Sequence, residues 1–374
     1  MNNYLGKEIA KLGFGLMRLP EKDGKTDIEQ VKTMVDMFMS GGFTYFDTAY
    51  VYGNGESERV AKEALVDRYE RGSFQLATKL PLFDKDESFE DIKQRFYTSL
   101  ERTGADYFDF YLIHNISANR RAMAEKWGIW QWLQELKREG LIRHVGFSFH
   151  DSAEALDELL TAHPETEFVQ LQINYKDWDD KSVQSRACYE VAMKHNVPVI
   201  IMEPVKGGTL SSLPLEAEAL MKAHRPDASI SSWAVRYCAS LPGVITVLSG
   251  MSNIQQMEDN LSYMADFEPV SEEEKDIIAK SLEIIGKVPT IPCTKCKYCV
   301  DGCPRKINIP GILSCVNLNT IYRNAAKARG EYGWVTGGEN GYAKDCIGCG
   351  ACENICPQHI AIIEELKKAS ELLD

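Results

Sequence analysis

Residues 293–304 read CTKCKYCVDGCP, and residues 346–357 read CIGCGACENICP. Both stretches follow one spacing, C-x2-C-x2-C-x3-C-P, and together they hold eight of the eleven cysteines. Only Cys188 and Cys238 precede Pro292, and Cys315 stands alone between the two motifs. Disulfides would need an oxidising compartment and usually a short secreted chain. This chain has 374 residues, and its opening, MNNYLGKEIAKLGFG, lacks the basic stretch and apolar run of a secretory signal. Zinc modules use CxxC pairs two to a site and have no need of a third CxxC step ending in Cys-Pro.

The doubled motif is instead the spacing of bacterial ferredoxins, where three close thiolates wrap one cluster and the fourth, before proline, crosses to the other. By that rule Cys293, Cys296, Cys299 and Cys356 hold one 4Fe–4S cluster. Cys346, Cys349, Cys352 and Cys303 hold the second. Cys315 is expected to pack as a small apolar residue. Between the motifs, residues 310–329 look helical and 330–341 loop-like, and residues 360–373 carry apolar positions at helical spacing. Such a module transfers single electrons, or its clusters simply staple a small α+β fold.

Residues 1–286 read differently. Short apolar stretches alternate with amphipathic helical ones about eight times, with candidate strands at 11–15, 44–47, 74–79, 108–113, 144–147, 168–173, 197–203 and 244–249. Capping pairs such as Thr26 with Glu29 and Ser252 with Gln255 mark helix starts. Eight strand–helix units in this length fit a closed (β/α)8 barrel better than an open sheet. The expected organisation is a barrel over 1–286 and a ferredoxin-like iron–sulfur domain over 287–374. No glycine-rich dinucleotide fingerprint follows a strand, since Ser57 and Glu58 break the pattern begun by Gly53 and Gly55.

Charge narrows the partners. The net −13 argues against nucleic acid, which needs a basic face. From Lys287 onward 11 Lys and Arg face 9 Asp and Glu, so the acidity resides in the first 286 residues. No apolar run approaches the roughly 20 residues needed to cross a bilayer. A cytoplasmic, membrane-free protein is expected.

Barrel active sites lie at the C-terminal strand ends. Polar residues there include Asp47 and Tyr52 after the second strand, Lys79 at the end of the third and His114 after the fourth. Each alone is as readily a helix cap, a solvent-facing cation or a satisfied hydrogen-bonder; on three successive strand ends they form an acid–base set.

From Gly13 to Met264 the chain resembles the aldo-keto reductase superfamily, most specifically in Phe46-Asp47-Thr48-Ala49 with Tyr52-Gly53, Thr78-Lys79 and Ile113-His114. The resemblance implies hydride exchange between NADP(H) or NAD(H) and a small carbonyl or alcohol. It makes Tyr52 the general acid, Lys79 and Asp47 its supports and His114 the group that orients the carbonyl. A neighbouring ammonium is expected to lower the Tyr52 pKa from its usual value near 10. The resemblance also places Ser148 and Gln170 at the nicotinamide carboxamide. Glu203, Lys206 and Gly207 would lie along the pyrophosphate. Ser249, Gly250, Ser252, Asn253, Gln256 and Asn260 would lie toward the adenosine end. Phe149 replaces the usual asparagine, and Met202 a stacking tyrosine. Many NADPH-specific members carry Lys and Arg where this chain has Gly250 and Gln256.

Hydride transfer moves two electrons and a cluster moves one. Direct coupling would need a flavin or a radical step, and no motif calls for a flavin. Three readings follow: a reductase whose clusters serve a separate redox partner protein, a nucleotide-binding redox subunit without turnover, and a reductase with a cluster-stapled docking domain.

Overall fold

The computed structural model describes residues 3–5, 7–83, 86 and 88–374. Its eight barrel strands are β1 (Leu12–Gly15), β2 (Tyr45–Asp47), β3 (Gln75–Leu80), β4 (Phe108–Ile116), β5 (Ile142–Phe149), β6 (Phe168–Gln172), β7 (Val199–Met202) and β8 (Val244–Ser249). Each strand pairs in parallel with the next in chain order, and β8 returns to β1 to close the barrel. Helices in the crossovers cover the outer face, so both faces of every strand are buried and the strands read as apolar runs. Inside, Tyr45, Phe110, Leu112, Phe168, Ile200 and Ile245 fill the barrel. Residues of the opposite parity, such as Phe46, Tyr111, Val145 and Phe147, pack outward in the larger core.

Two helix starts lie one residue beyond the capping pairs expected from the sequence. Helix Ile28–Ser40 is capped by Asp27, which accepts the Gln30 N–H, while Thr26 pairs with Glu21 in a short hairpin. Helix Ile254–Met264 is capped by Asn253, because the Ser252 hydroxyl is engaged at 2.8 Å by the carbonyl of Arg18.

The chain divides into two compact units, Met1–Val205 with Ser232–Val270, and Lys206–Ser231 with Ser271–Asp374. The second unit thus joins the segment after β7 and helix Glu272–Lys287 to the cysteine-rich tail. Arg323 Nη2 donates to the Leu213 carbonyl at 2.7 Å and pairs with Glu218 at 2.8 Å, and Arg225 pairs with Glu274 at 2.5 Å.

Tail helices Ile309–Tyr322, Ala325–Thr336 and Ile362–Leu373 enclose a core that includes Ile312, Leu313, Ala328, Tyr332 and Leu366. Cys315 is buried in that core. Extended structure in the tail is confined, among the described residues, to one parallel bridge between Ile307 and Gly341. The helix expected over 310–329 is broken. Arg323 takes a left-handed φ of 49°, and Asn324 then caps a second helix through the Lys327 N–H. That helix continues to Thr336, so residues 330–336, expected as loop, are helical. No helix among the described residues is long and apolar enough to cross a membrane.

Candidate active site and cysteine cavities

Strand β2 ends at Asp47, and a tight turn brings Tyr52 back over the barrel mouth. Gly53 and Asn54 are both left-handed within this turn. Gly55 follows at φ 86°, with the Arg102 guanidinium where a Cβ would stand, so only glycine fits. Beneath the turn, fully buried Glu58 accepts from Thr78 Oγ1 at 2.8 Å and pairs with Arg102 at 3.2 Å. Arg102 also donates to the Tyr50 carbonyl at 3.0 Å. The turn is therefore tied to β3 and to helix Phe89–Thr103.

Lys79 points up the barrel from β3. Its Nζ donates to Asp47 Oδ1 at 2.6 Å and to the Thr48 carbonyl at 2.7 Å, and lies 4.8 Å from the centre of the Tyr52 ring. Asp47 and Lys79 are both buried, whereas Tyr52 is partly open to solvent. The His114 ring meets the Tyr52 ring edge-on with centroids 5.8 Å apart. The four residues read as an acid–base set thus meet at one end of the barrel.

Burial pushes the Tyr52 phenol above its ordinary range, and Asp47 and Glu203 add to this. Lys79 acts in the opposite sense, by charge and hydrogen bonding, without overcoming burial. The expectation of a lowered Tyr52 pKa is corrected on this ground. Burial works against the Lys79 charge, yet Asp47 and Tyr52 leave its pKa raised. For Asp47, burial raises the carboxyl against the pull of Lys79. Burial, then the charges of Lys79, Arg120 and His150, depress His114 to about 3, so its imidazole is neutral near pH 7.

A bulge in β4 aims His114, and it was not legible beforehand. The β4–β5 register shifts between Ile113 and Ile116, and Asn115 adopts a left-handed φ of 50°. Both backbone groups of Asn115 are pinned: its N–H donates to Ser148 Oγ at 2.7 Å, and its carbonyl accepts from Arg120 Nη1 at 2.7 Å. Asparagine directly after His114 is the one local signal, since it tolerates the left-handed region better than most residues.

Ser148 and Gln170 are adjacent in the β5–β6 register and buried. Gln170 Nε2 approaches Asp47 Oδ2 at 3.5 Å, while its Oε1 is buried without a partner among the described residues. An orphaned acceptor of this kind, beside a serine hydroxyl, suits a primary carboxamide such as that of nicotinamide. Phe149 turns into the core against Phe147 and offers nothing there. Glu203 follows β7 in a left-handed conformation, its carbonyl accepting from Asn174 Nδ2 at 3.3 Å. Lys206 and Gly207, both left-handed, belong to the second compact unit.

After β8, Ser249 is buried and Gly250 exposed. At the start of helix Ile254–Met264, Asn253 accepts the Gln256 N–H and Gln256 Oε1 accepts the Ser252 N–H at 2.7 Å. Two amides at this helix start are therefore engaged by side chains. Asn260 Oδ1, one turn further, is buried without a partner among the described residues.

In the second unit, two cavities lie in the tail. The first is lined by Cys293, Cys296, Cys299 and Cys356, the second by Cys303, Cys346, Cys349 and Cys352. These are the two crossed sets read from the spacing, and Ile309 lines both cavities. Among the described residues, no three His, Cys, Asp or Glu groups converge as a single metal ion would require. Four thiols around an open cavity fit a multinuclear cluster better than one zinc ion.

A parallel barrel carrying a buried Asp–Lys pair beneath a tyrosine, with a histidine edge-on to it, defines an oxidoreductase of the aldo-keto reductase class. The chain belongs to the aldo/keto reductase family, which it matches over residues 11–283, and it carries a 4Fe-4S dicluster domain matched over residues 292–361. It is 25% identical over 300 residues to the uncharacterized oxidoreductase YqkF of Bacillus subtilis, covering 71% of this chain and 90% of that one. The aldo-keto reductase AKR11C1 of Bacillus halodurans, solved in its holo form, superposes with a TM-score of 0.57 at 26% identity, covering 74% of this chain and 93% of that one. An aldo-keto reductase of Klebsiella pneumoniae, solved with NADPH, shares the fold at a TM-score of 0.59 and 19% identity, covering 73% of this chain and 90% of that one.

Proposed function

We propose that this chain is a nicotinamide-dependent carbonyl reductase or alcohol dehydrogenase acting on a small-molecule substrate, with Tyr52 as proton donor. We further propose that residues 287–374 form a domain that holds two 4Fe–4S clusters and exchanges single electrons with a separate carrier. The observation that carries the first part is Lys79 Nζ, bonded to Asp47 and lying beneath the Tyr52 ring.

When bound, a reduced nicotinamide would supply hydride to the carbonyl carbon, leaving alkoxide charge on the oxygen. Tyr52 hands its phenolic proton to that oxygen, and its raised pKa keeps the phenol protonated until it is needed. Lys79 stabilises the phenolate left behind, and Asp47 holds Lys79 in place. Neutral His114 offers a ring N–H to the carbonyl oxygen without carrying a competing charge. Ser148 and Gln170 would hold the carboxamide, supported by the orphaned Gln170 Oε1. Asn260, with its unpartnered Oδ1, would take a donor from the adenosine end. Ser249, Gly250, Ser252, Asn253 and Gln256 complete that end, and Glu203, Lys206 and Gly207 are proposed along the pyrophosphate. Gly250 and Gln256 supply no cation for a 2′-phosphate, so discrimination between NADPH and NADH is weak.

In the tail, Cys293, Cys296, Cys299 and Cys356 would hold one cluster and Cys303, Cys346, Cys349 and Cys352 the other, supported by the two cavities they line. The reading places the protein in the cytoplasm, where thiols stay reduced. Tyr52→Phe tests it: carbonyl turnover should fall by about 10²–10⁴, with nucleotide binding retained. Undiminished turnover would remove Tyr52 from the mechanism.

A further inference from the structure

The two cysteine motifs agree in ligand spacing and differ in what fills the spacers. Between Cys293 and Cys299 stand Thr294, Lys295, Lys297 and Tyr298, whereas between Cys346 and Cys352 stand Ile347, Gly348, Gly350 and Ala351. Lys295 and Lys297 immediately flank Cys296, an exposed thiol. Both lysines are left-handed, at φ 60° and 67°, a region that side chains other than glycine rarely adopt. Neither has an ion-pair partner among the described residues. Tyr298, beside them, is 59% exposed. No carboxylate lines the adjoining cavity. Around the second motif, by contrast, Lys306 is paired with Glu339 at 3.4 Å and Lys344 with Asp374 at 3.7 Å, leaving Arg305 at the cavity wall.

A surface charge that folding does not pair is free to meet a partner. Two unpaired lysines beside an exposed tyrosine make a short cationic, aromatic segment, suited to brief encounters rather than permanent complexes. The remainder of the chain sharpens the choice of partner. Residues 1–286 are the acidic part of the chain, and clusters on eight thiolates would add negative charge to the tail, so the attraction for an acidic partner is local to Lys295 and Lys297.

We propose that the Cys296 edge of the tail is the docking face for an acidic one-electron carrier protein, with Lys295 and Lys297 as electrostatic anchors and Tyr298 at the centre of contact. The proposal rests on the tail holding 4Fe–4S clusters. In the exchange the reduced carrier loses one electron and the tail gains it; no bond forms or breaks and no proton moves.

The test uses the cluster-loaded full chain under anaerobic stopped flow, with a reduced acidic bacterial ferredoxin as the protein donor and reduced methyl viologen as a small cationic donor. Ferredoxin should bleach the tail at a rate that falls as salt rises, because the attraction is screened. Lys295→Glu with Lys297→Glu should slow that rate by about tenfold or more, while viologen still reduces the tail. Lys344→Glu should change it little. If the paired glutamates disturb cluster loading, Lys295→Gln with Lys297→Gln gives the same comparison with a smaller drop. Carbodiimide coupling to the ferredoxin, mapped by mass spectrometry, should fall on Lys295 or Lys297. A ferredoxin rate indifferent to these substitutions, or crosslinks elsewhere, overturns the docking face and leaves the cluster reading standing. A tail that viologen itself cannot reduce overturns both.

Discussion

Lys79 Nζ lies 4.8 Å from the centre of the Tyr52 ring, so one buried ammonium is shared between a phenol above it and the Asp47 carboxylate 2.6 Å away. The arrangement couples stability to chemistry, because the charge that serves Tyr52 is tolerated only while Asp47 answers it.

Asp47→Asn should destabilise the barrel by about 3–5 kcal/mol, the usual cost of leaving one member of a buried pair uncompensated. Adding Lys79→Met should restore part of that loss, since the orphaned charge then disappears. Urea unfolding of the two single variants and the double variant checks this. Strictly additive losses would mean that the pair is not coupled.

The Tyr52 phenol titrates above its ordinary range in the free protein. Reductive kcat/KM, which reports the free enzyme, should therefore stay level through neutrality and decline only above about pH 10. A basic limb centred well below 10 would show that another group limits turnover or that Lys79 outweighs burial.

His114 stays neutral to about pH 3, whereas an unfolded histidine protonates near 6.5. Between those values the unfolded chain binds the extra proton, so stability falls as pH drops through this window, by at most about 1.4 kcal/mol per unit. His114→Asn should flatten that slope in urea midpoints taken from pH 7 to 4. Arg120→Gln should raise the His114 pKa, because one of the charges disfavouring protonation is gone, and should lower kcat by releasing the Asn115 carbonyl. NMR titration of the His114 ring separates the two effects.

A Cβ at Gly250 would make only an ordinary contact with the Gly15 carbonyl oxygen at 3.9 Å, and its φ lies outside the left-handed region, so a side chain fits there without strain. Gly250→Lys should raise the NADPH-to-NADH ratio of kcat/KM by about tenfold, or about 1.4 kcal/mol. If the unaltered enzyme already prefers NADPH by two orders of magnitude, a cation elsewhere must read the 2′-phosphate.

The barrel was legible because parallel strands covered on both faces leave dense apolar runs, and Asp47, Lys79 and His114 sit where those runs end. The cysteines that line each cavity group as the motif spacing suggests. What escaped depends on long-range geometry. Nothing local to Ser148 says that it receives the Asn115 N–H, and nothing local to Arg120 says that it holds the next carbonyl. The net direction of the Tyr52 shift was misjudged because the neighbouring charge is visible in a motif while the depth of burial is not. The interruption at Arg323 was missed because a helix break set by a guanidinium reaching Leu213, 110 residues earlier, leaves no periodic trace.

Cys303 lines the cavity of the second motif and Cys356 that of the first, so on the proposed ligation neither cluster could be completed from one motif alone. Neither set of four thiols exists until the chain has been synthesised as far as Cys352 for one and Cys356 for the other, and Ile309 is wall to both. On the proposed ligation, oxidative loss of Cys303 or Cys356 would open the site whose other three thiols lie in the other motif.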